Sequence, residues 1–154
     1  MTIRPFTPED RDALTELWLR SVRATHTFLS EDDIAFYHPL VHDGLGTMET
    51  WVLENASGPL GFMGMDENKV EALFMEPAHA GQGGGRRLMT FAREKTPLET
   101  PLLVDVNEDN PNALQFYLRL GFRQTARSPR DGSGRAFPLL HLALDGPLTP
   151  PRNR

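Results

Sequence analysis

The stretch Val70-Glu71-Ala72-Leu73-Phe74-Met75-Glu76-Pro77-Ala78-His79-Ala80-Gly81-Gln82-Gly83-Gly84-Gly85-Arg86-Arg87-Leu88-Met89 decides how the chain folds. Residues 70–75 are apolar except for Glu71 and predict a strand. Pro77, which has no N–H to donate, ends it. Four glycines within residues 81–85 then lead into a predicted helix over 86–95, with Leu88, Met89 and Ala92 facing inward. Small residues let a ligand approach the backbone closely, and the first N–H groups of a helix have no partner inside it. Together these features suit a pyrophosphate. Spacing excludes two kinds of nucleotide loop. A triphosphate loop needs Lys followed by Ser or Thr after its last glycine, but Arg86-Arg87 follows here. A dinucleotide fingerprint begun at Gly81 needs glycine at position 86, where Arg86 stands. A glycine-rich turn without a ligand is the remaining alternative.

Outward from this segment, Gly and Pro punctuate the chain into short elements. Residues 2–6 predict a first strand. Thr7-Pro8-Glu9-Asp10 opens a helix with a cap, a proline at its first position and acids in its first turn. Leu14, Leu17, Trp18 and Val22 carry that helix to about residue 24. Residues 25–29 break it. Ser30, followed by Glu31, Asp32 and Asp33, caps a second helix whose later part Pro39 is expected to disturb. Strands follow at 50–55, 60–65 and 70–75. After the glycine loop come a helix at 86–95, a strand at 102–106, a helix at 110–120 and strands at 122–127 and 136–144. The order β-α-α-β-β-β-α-β-α-β-β predicts an α/β fold, a mixed sheet with helices on both faces. One domain is expected over 1–145, with a Pro-rich flexible tail at 146–154.

Composition narrows the chemistry. The chain has 154 residues, 39% hydrophobic and 24% charged, enough to build one core without a staple. It has no Cys, which excludes disulfides, thiolate metal sites and a cysteine nucleophile. The formal net charge of −5 argues against nucleic acid as the main partner and mildly favours cationic substrates such as amines. No apolar run reaches the ~20 residues of a membrane span, and MTIRPFTPED lacks the apolar core of a signal peptide. A cytoplasmic protein is expected. Asn55-Ala56-Ser57 fits the glycosylation sequon but has no meaning without secretion.

The segment 70–89 resembles motif A of the GNAT superfamily of N-acetyltransferases, which runs strand, proline, loop, Gly-x-Gly, helix. Asn110-x-x-Ala113-x-x-Phe116-Tyr117, followed by Leu120-Gly121-Phe122, is similar to motif B of the same family. Both motifs stand in order and at family spacing, and the predicted element order also matches the GNAT fold. The resemblance covers about residues 2–144. Residues 21–29, 105–110 and 137–140 resemble the YjaB-type branch of small bacterial acetyltransferases, whose members have been assigned peptidyl-lysine acetylation. Two positions depart from the family pattern. Ala80 replaces the usual Arg or Gln three residues before Gly-x-Gly, and Gly84 replaces the usual Ile or Val. The backbone cradle is expected to survive, with Arg86 and Arg87 supplying positive charge.

The resemblance implies acetyl-CoA as acyl donor and direct transfer to a primary amine, with no acetyl-cysteine intermediate. The acceptor is a protein lysine or a small amine such as an amino acid, a polyamine or an antibiotic. An acyl-CoA-binding regulatory module without turnover is the alternative from another class. Such transfer needs a held thioester, a deprotonated amine, a stabilised oxyanion and a protonated leaving thiolate. Phe74 and Met75 would offer backbone groups to the pantetheine arm. Gly81, Gln82, Gly83, Gly84, Gly85, Arg86 and Arg87 would hold the pyrophosphate. Asn107, Asn110 and Tyr117 would also touch the cofactor.

Tyr117 matches the family's general acid, since a phenol with a pKa of about 10 stays protonated at neutral pH. Its alternative is a core tyrosine sharing a helix face with Ala113, Phe116 and Leu120. Asn110 also suits a helix N-cap. Two residues are candidates for the base. Glu71 either is desolvated and made basic in the strand or points to solvent. His26 either acts as base or substrate contact or makes a local hydrogen bond. Phe28 would wall the acceptor pocket; for Trp18 core packing is favoured. His38 and His42 are four apart, but Pro39 intervenes and no third ligand is evident, so no metal is expected. His79 is expected to be exposed, and His141 faces either the acceptor groove or solvent. Glu31, Asp32 and Asp33 are helix-start charges. A monomer or homodimer is equally compatible with the sequence.

Overall fold

The computed structural model describes residues 1–151. Among the described residues seven strands and four α-helices follow in the order β1 (Thr2–Pro5), α1 (Arg11–Thr25), α2 (Glu31–Gly44), β2 (Glu49–Asn55), β3 (Gly58–Asp66), β4 (Lys69–Met75), α3 (Gly84–Lys95), β5 (Leu102–Asn107), α4 (Pro111–Leu120), β6 (Arg123–Ser128) and β7 (Leu139–Leu144). The strands hydrogen-bond in the order β1-β2-β3-β4-β5-β7-β6. Pairs β1–β2, β2–β3, β5–β7 and β6–β7 are antiparallel, and β4–β5 is parallel, so the sheet is mixed as predicted. Backbone contacts divide the described residues into two compact units: Met1–Asp66 with Glu71–Met89, and Glu67–Val70 with the described residues from Thr90 on.

In the first unit, α1 presents Leu14, Leu17, Trp18 and Val22 to the core, the face predicted from their spacing. They pack with Ile34, Leu45, Val52 and Phe62. Trp18 is a core residue, as favoured from the sequence. Ser30 caps α2 by accepting the Asp33 N–H, while the Asp33 carboxylate accepts the Ser30 N–H. Contrary to expectation, Pro39 lies within an unbroken α2. The carbonyl it leaves without a donor belongs to exposed Ala35, where water can replace the missing N–H. At the end of β4, Glu76 receives a forked bond from Arg20 of α1, its shorter arm 2.6 Å.

In the second unit, β5 alternates buried Leu102, Val104 and Val106 with partly exposed Leu103, Asp105 and Asn107. The buried set joins Leu120, Phe122, Leu140, Leu142 and Leu144 in the core. β7 begins at Leu139, three residues later than predicted from Ala136. A turn precedes it, in which Asp131 accepts the N–H groups of Ser133 and Arg135. The expected flexible tail is tethered as far as Thr149, whose N–H donates to Leu120 O at 2.8 Å. Its residues 152–154 lie outside the described residues.

Candidate active site

Within the first unit, the glycine segment is built in two steps. A short 3-10 turn over Pro77–His79 leads to Ala80, and α3 starts at Gly84, two residues earlier than predicted. The Arg87 N–H donates to Gly83 O, so Gly83 takes the cap position. The N–H groups of Gly84 and Gly85 therefore have no acceptor inside the helix. Gly81 and Gly83 have φ of 78° and 84°, and a Cβ on either would meet nothing within 4 Å. Their left-handed φ, and not a lack of room, is what calls for glycine at these two positions. Gln82 Oε1 is 3.2 Å from His79 Nδ1, which ties the loop to itself. Arg87 is exposed and Arg86 half-buried.

Gly84 has a packing reason. A Cβ there would collide with Met75 Cε and stand 2.9 Å from Leu53 Cδ2. The Met75 side chain fills the space that a side chain at position 84 would enter. It also crosses Gly61, where a Cβ would lie 2.5 Å from Met75 Sδ. The departure at Gly84 is therefore compensated inside this chain, and the side chain of Met75 serves packing.

The turn after α1 carries the acceptor-side candidates. His26 lies 5.4 Å from Phe28 and 6.3 Å from Phe74, ring centre to ring centre, and Phe74 lies 5.6 Å from Phe62. The structure thus brings three predicted residues, His26, Phe28 and Phe74, into one aromatic cluster. Thr25 Oγ1 gives its proton to Ser21 O at 2.8 Å and lies 2.7 Å from His26 Nδ1. With its proton spent, the hydroxyl can only accept, so His26 carries its hydrogen on Nδ1 and Nε2 is the basic nitrogen. Burial pulls the His26 pKa down, favouring the neutral ring. Glu71 is exposed on β4. Of its two predicted alternatives, the solvent-facing one is observed.

Within the second unit, Asn110 caps α4 by accepting the Ala113 N–H at 3.2 Å, and Asn107 accepts the Asp109 N–H at 3.0 Å. Both side-chain oxygens shape the β5–α4 loop. Tyr117 is buried against Phe116 and Phe122, with ring centres 5.0 and 5.4 Å away. Burial pushes its phenol pKa above the ordinary value, so it stays a proton donor well above neutral pH. The register of β4 with β5 covers only Lys69↔Leu103 and Val70↔Val104.

Two features were not predicted from the sequence. Ser128 Oγ is 2.6 Å from His141 Nε2, His141 Nδ1 is 2.6 Å from Asp105 Oδ1, and Asp105 Oδ2 is 2.8 Å from Lys69 Nζ. Burial works to raise the Asp105 pKa, but the Lys69 and His141 hydrogen bonds outweigh it and hold the carboxyl below its ordinary value. The second feature is buried Arg93. It donates to Pro97 O and Thr100 O at 2.7 Å, Thr96 Oγ1 at 2.9 Å, Gly146 O at 3.2 Å and Leu144 O at 3.4 Å. Asp105 and His141 each interrupt an apolar strand at a non-core position, and that is the one signal the sequence held. Among the described residues no group of side chains has metal-site geometry, and no helix is long and apolar enough to cross a membrane. His42 instead faces Asp12 at 3.1 Å and Asp43 at 3.4 Å.

Residues 20–138 match the acetyltransferase (GNAT) domain. The chain belongs to the GNAT acetyltransferase family. It is 38% identical over 147 residues to the peptidyl-lysine N-acetyltransferase YjaB of Escherichia coli strain K12, covering 95% of this chain and 98% of that protein. The peptidyl-lysine N-acetyltransferase YiaC of the same strain is 31% identical over 122 residues, 78% of this chain and 82% of that protein. The solution structure of apo YjaB superposes with a TM-score of 0.86, covering 94% of this GNAT chain and 97% of that one. A GNAT structure from Rhodopseudomonas palustris, 19% identical, shares the fold with a TM-score of 0.75.

Proposed function

We propose that this chain transfers the acetyl group of acetyl-CoA to a primary amine, with a protein lysine side chain as the first acceptor class. The observation that carries the reading is the glycine cradle: left-handed Gly81 and Gly83, then a helix start whose Gly84 and Gly85 N–H groups lack internal acceptors. Its shape and chemistry fit a pyrophosphate. The 38% identity to a protein named for peptidyl-lysine acetylation supports the acceptor class.

Acetyl-CoA would supply an acetyl group activated as a thioester. The chain's own residues would do the rest. The Gly81–Gly85 backbone and the charges of Arg86 and Arg87 would hold the pyrophosphate, and the Phe74 and Met75 backbone would hold the arm; Asn107 and Asn110 are proposed as cofactor contacts on the family resemblance alone. Tyr117, protonated at neutral pH like any phenol, would give its proton to the leaving sulfur. His26 and Phe28 contact the acceptor, and exposed Glu71 offers a carboxylate to an incoming ammonium. The protein would act in the cytoplasm, as a monomer or homodimer, without a metal.

The test is thermal unfolding with acetyl-CoA, with ATP and NAD as controls, followed by CoA release over a panel of amines. A ligand at about 100 times its dissociation constant adds roughly 2.7 kcal/mol of stability. Stabilisation by acetyl-CoA alone and release with lysine peptides are expected. A small amine turned over far better than any lysine peptide would move the acceptor to the small-molecule class. Binding without release would leave a regulatory module.

A further inference from the structure

A run of hydrogen bonds within the first unit ties α1 to the glycine cradle. Arg20 of α1 forks onto Glu76, the residue after β4: Nε lies 3.1 Å from each carboxylate oxygen and Nη2 lies 2.6 Å from Oε2. The Glu76 backbone is fixed as well. Its N–H donates to Leu60 O on β3 at 2.7 Å, and its carbonyl accepts the His79 N–H at 3.0 Å, at the start of the 3-10 turn over Pro77–His79. The His79 ring then reaches onward to Gln82, with Nδ1 3.2 Å from Oε1. A carboxamide oxygen only accepts, so His79 carries hydrogen on Nδ1 and donates it. Gln82 stands between the left-handed Gly81 and Gly83.

These links act where the backbone would otherwise be loose. Residues 81–83 are exposed, and two glycines among three residues leave a chain many conformations. The Arg20–Glu76 pair is badly placed to serve overall stability, because its side chains are 53% and 16% exposed. What a two-armed bond does fix is orientation. A planar guanidinium on both oxygens holds Glu76 in one arrangement against α1. It thereby holds the joint at which β4 ends and the cradle loop begins. His79 holds the far end of the same turn to the cradle itself.

We infer that Arg20 and His79 are positioning residues for the acyl donor. Arg20, acting through Glu76, fixes the start of the cradle loop, and His79, acting through Gln82, fixes its glycines. The backbone N–H groups then meet the pyrophosphate already in place. This rests on the acetyltransferase reading of the cradle. Neither side chain takes part in the chemistry, so the contribution of each appears as donor affinity. A loop that keeps its binding geometry about one-tenth of the time binds about tenfold more weakly. The Glu76 N–H bond to Leu60 depends on neither side chain, so the end of β4 keeps its place when either is removed.

The experiment uses the full chain and the variants Arg20→Ala, Glu76→Ala, the double Arg20→Ala/Glu76→Ala, His79→Ala and His79→Asn. The Kd of CoA is measured by titration calorimetry. Steady-state rates are measured with a lysine peptide and either acetyl-CoA or S-acetylpantetheine, which lacks the pyrophosphate. Arg20→Ala and Glu76→Ala should each raise the CoA Kd about tenfold, and the double variant no further, because all three remove one fork. His79→Ala should weaken CoA to a similar degree, and His79→Asn, whose amide N–H stands where Nδ1–H does, should recover most of the loss. The kcat with acetyl-CoA, the KM of the peptide and kcat/KM with S-acetylpantetheine should all stay within about twofold of wild type. A merely structural pair would lower the melting temperature and leave the CoA Kd unmoved, which overturns the inference. An unchanged Kd in either Arg20→Ala or His79→Ala, losses that multiply in the double variant, or an equal loss with S-acetylpantetheine also overturn it. A wild type that does not bind CoA refutes the acetyltransferase reading itself, whereas a wild type that binds CoA beside variants that bind it equally well refutes this inference alone.

Discussion

Replacing Gly84 by Val, alone and together with Met75→Ala, tests how the cradle is supported. In the wild type a Cβ at position 84 runs into Met75 Cε and lies 2.9 Å from Leu53 Cδ2. Gly84→Val therefore overpacks the start of α3 and should cost about 1–3 kcal/mol. Met75→Ala removes a side chain lying across Gly61 and Gly84, and should cost about 2–5 kcal/mol as a cavity. In the double variant the valine enters the space the methionine left. Its loss should be smaller than the sum of the two by about 1–3 kcal/mol, close to that of Met75→Ala alone. Urea unfolding of the four proteins, fitted with a common slope, measures this coupling. Because the valine points inward, the double variant should also keep its acetyl-CoA shift. Losses that add within about 0.5 kcal/mol would refute the claim that Met75 fills the position-84 space.

Other perturbations test separate parts of the structure. Arg93→Met leaves the Pro97 and Thr100 carbonyls without their 2.7 Å donors; a loss of about 3 kcal/mol, roughly 6–12 °C in melting temperature, is expected in calorimetry. A loss under about 1 kcal/mol would show that water replaces the guanidinium. Asp10 is held down to about 2 by hydrogen bonds from Arg4, against the opposing effect of burial. Its contribution is thus complete above the unfolded carboxyl's pKa near 4 and lost as pH falls through 2. Discounted for partial exposure it is on the order of 1 kcal/mol, and Arg4→Ala should flatten stability between pH 4 and 2. Tyr117→Phe should lower kcat by about 10²-fold or more with the acetyl-CoA shift intact. Unchanged kcat would make Tyr117 a core residue alone.

The fold was legible because its strongest signals are local. α1 announces itself by the spacing of Leu14, Leu17, Trp18 and Val22, and the structure buries those residues. The cradle follows from a strand, a proline and clustered glycines in immediate succession. What escaped the sequence depends on partners far along the chain. His141 and Asp105 are 36 positions apart and meet only because β5 and β7 pair in one register. Arg93 looks like an ordinary basic residue in the last turn of α3, yet it binds carbonyls up to 53 positions away. Pro39 misled for a different reason, since its cost depends on whether the orphaned carbonyl is wet, which the helix pattern does not encode. Met75 and Gly84 were readable only as a departure from a family pattern, and the compensation between them needed coordinates.

The most direct measurement is acetyl transfer itself: protein, acetyl-CoA and a lysine peptide, with the modified atom mapped by mass spectrometry and free CoA titrated as thiol. A Cys-free enzyme adds no thiol of its own to that titration. Acetyl on the lysine ε-nitrogen, matched by an equal amount of CoA and lost in Tyr117→Phe, is expected. Stabilisation by acetyl-CoA with no acetylated product from any amine would contradict catalysis and leave a fold that only binds the cofactor.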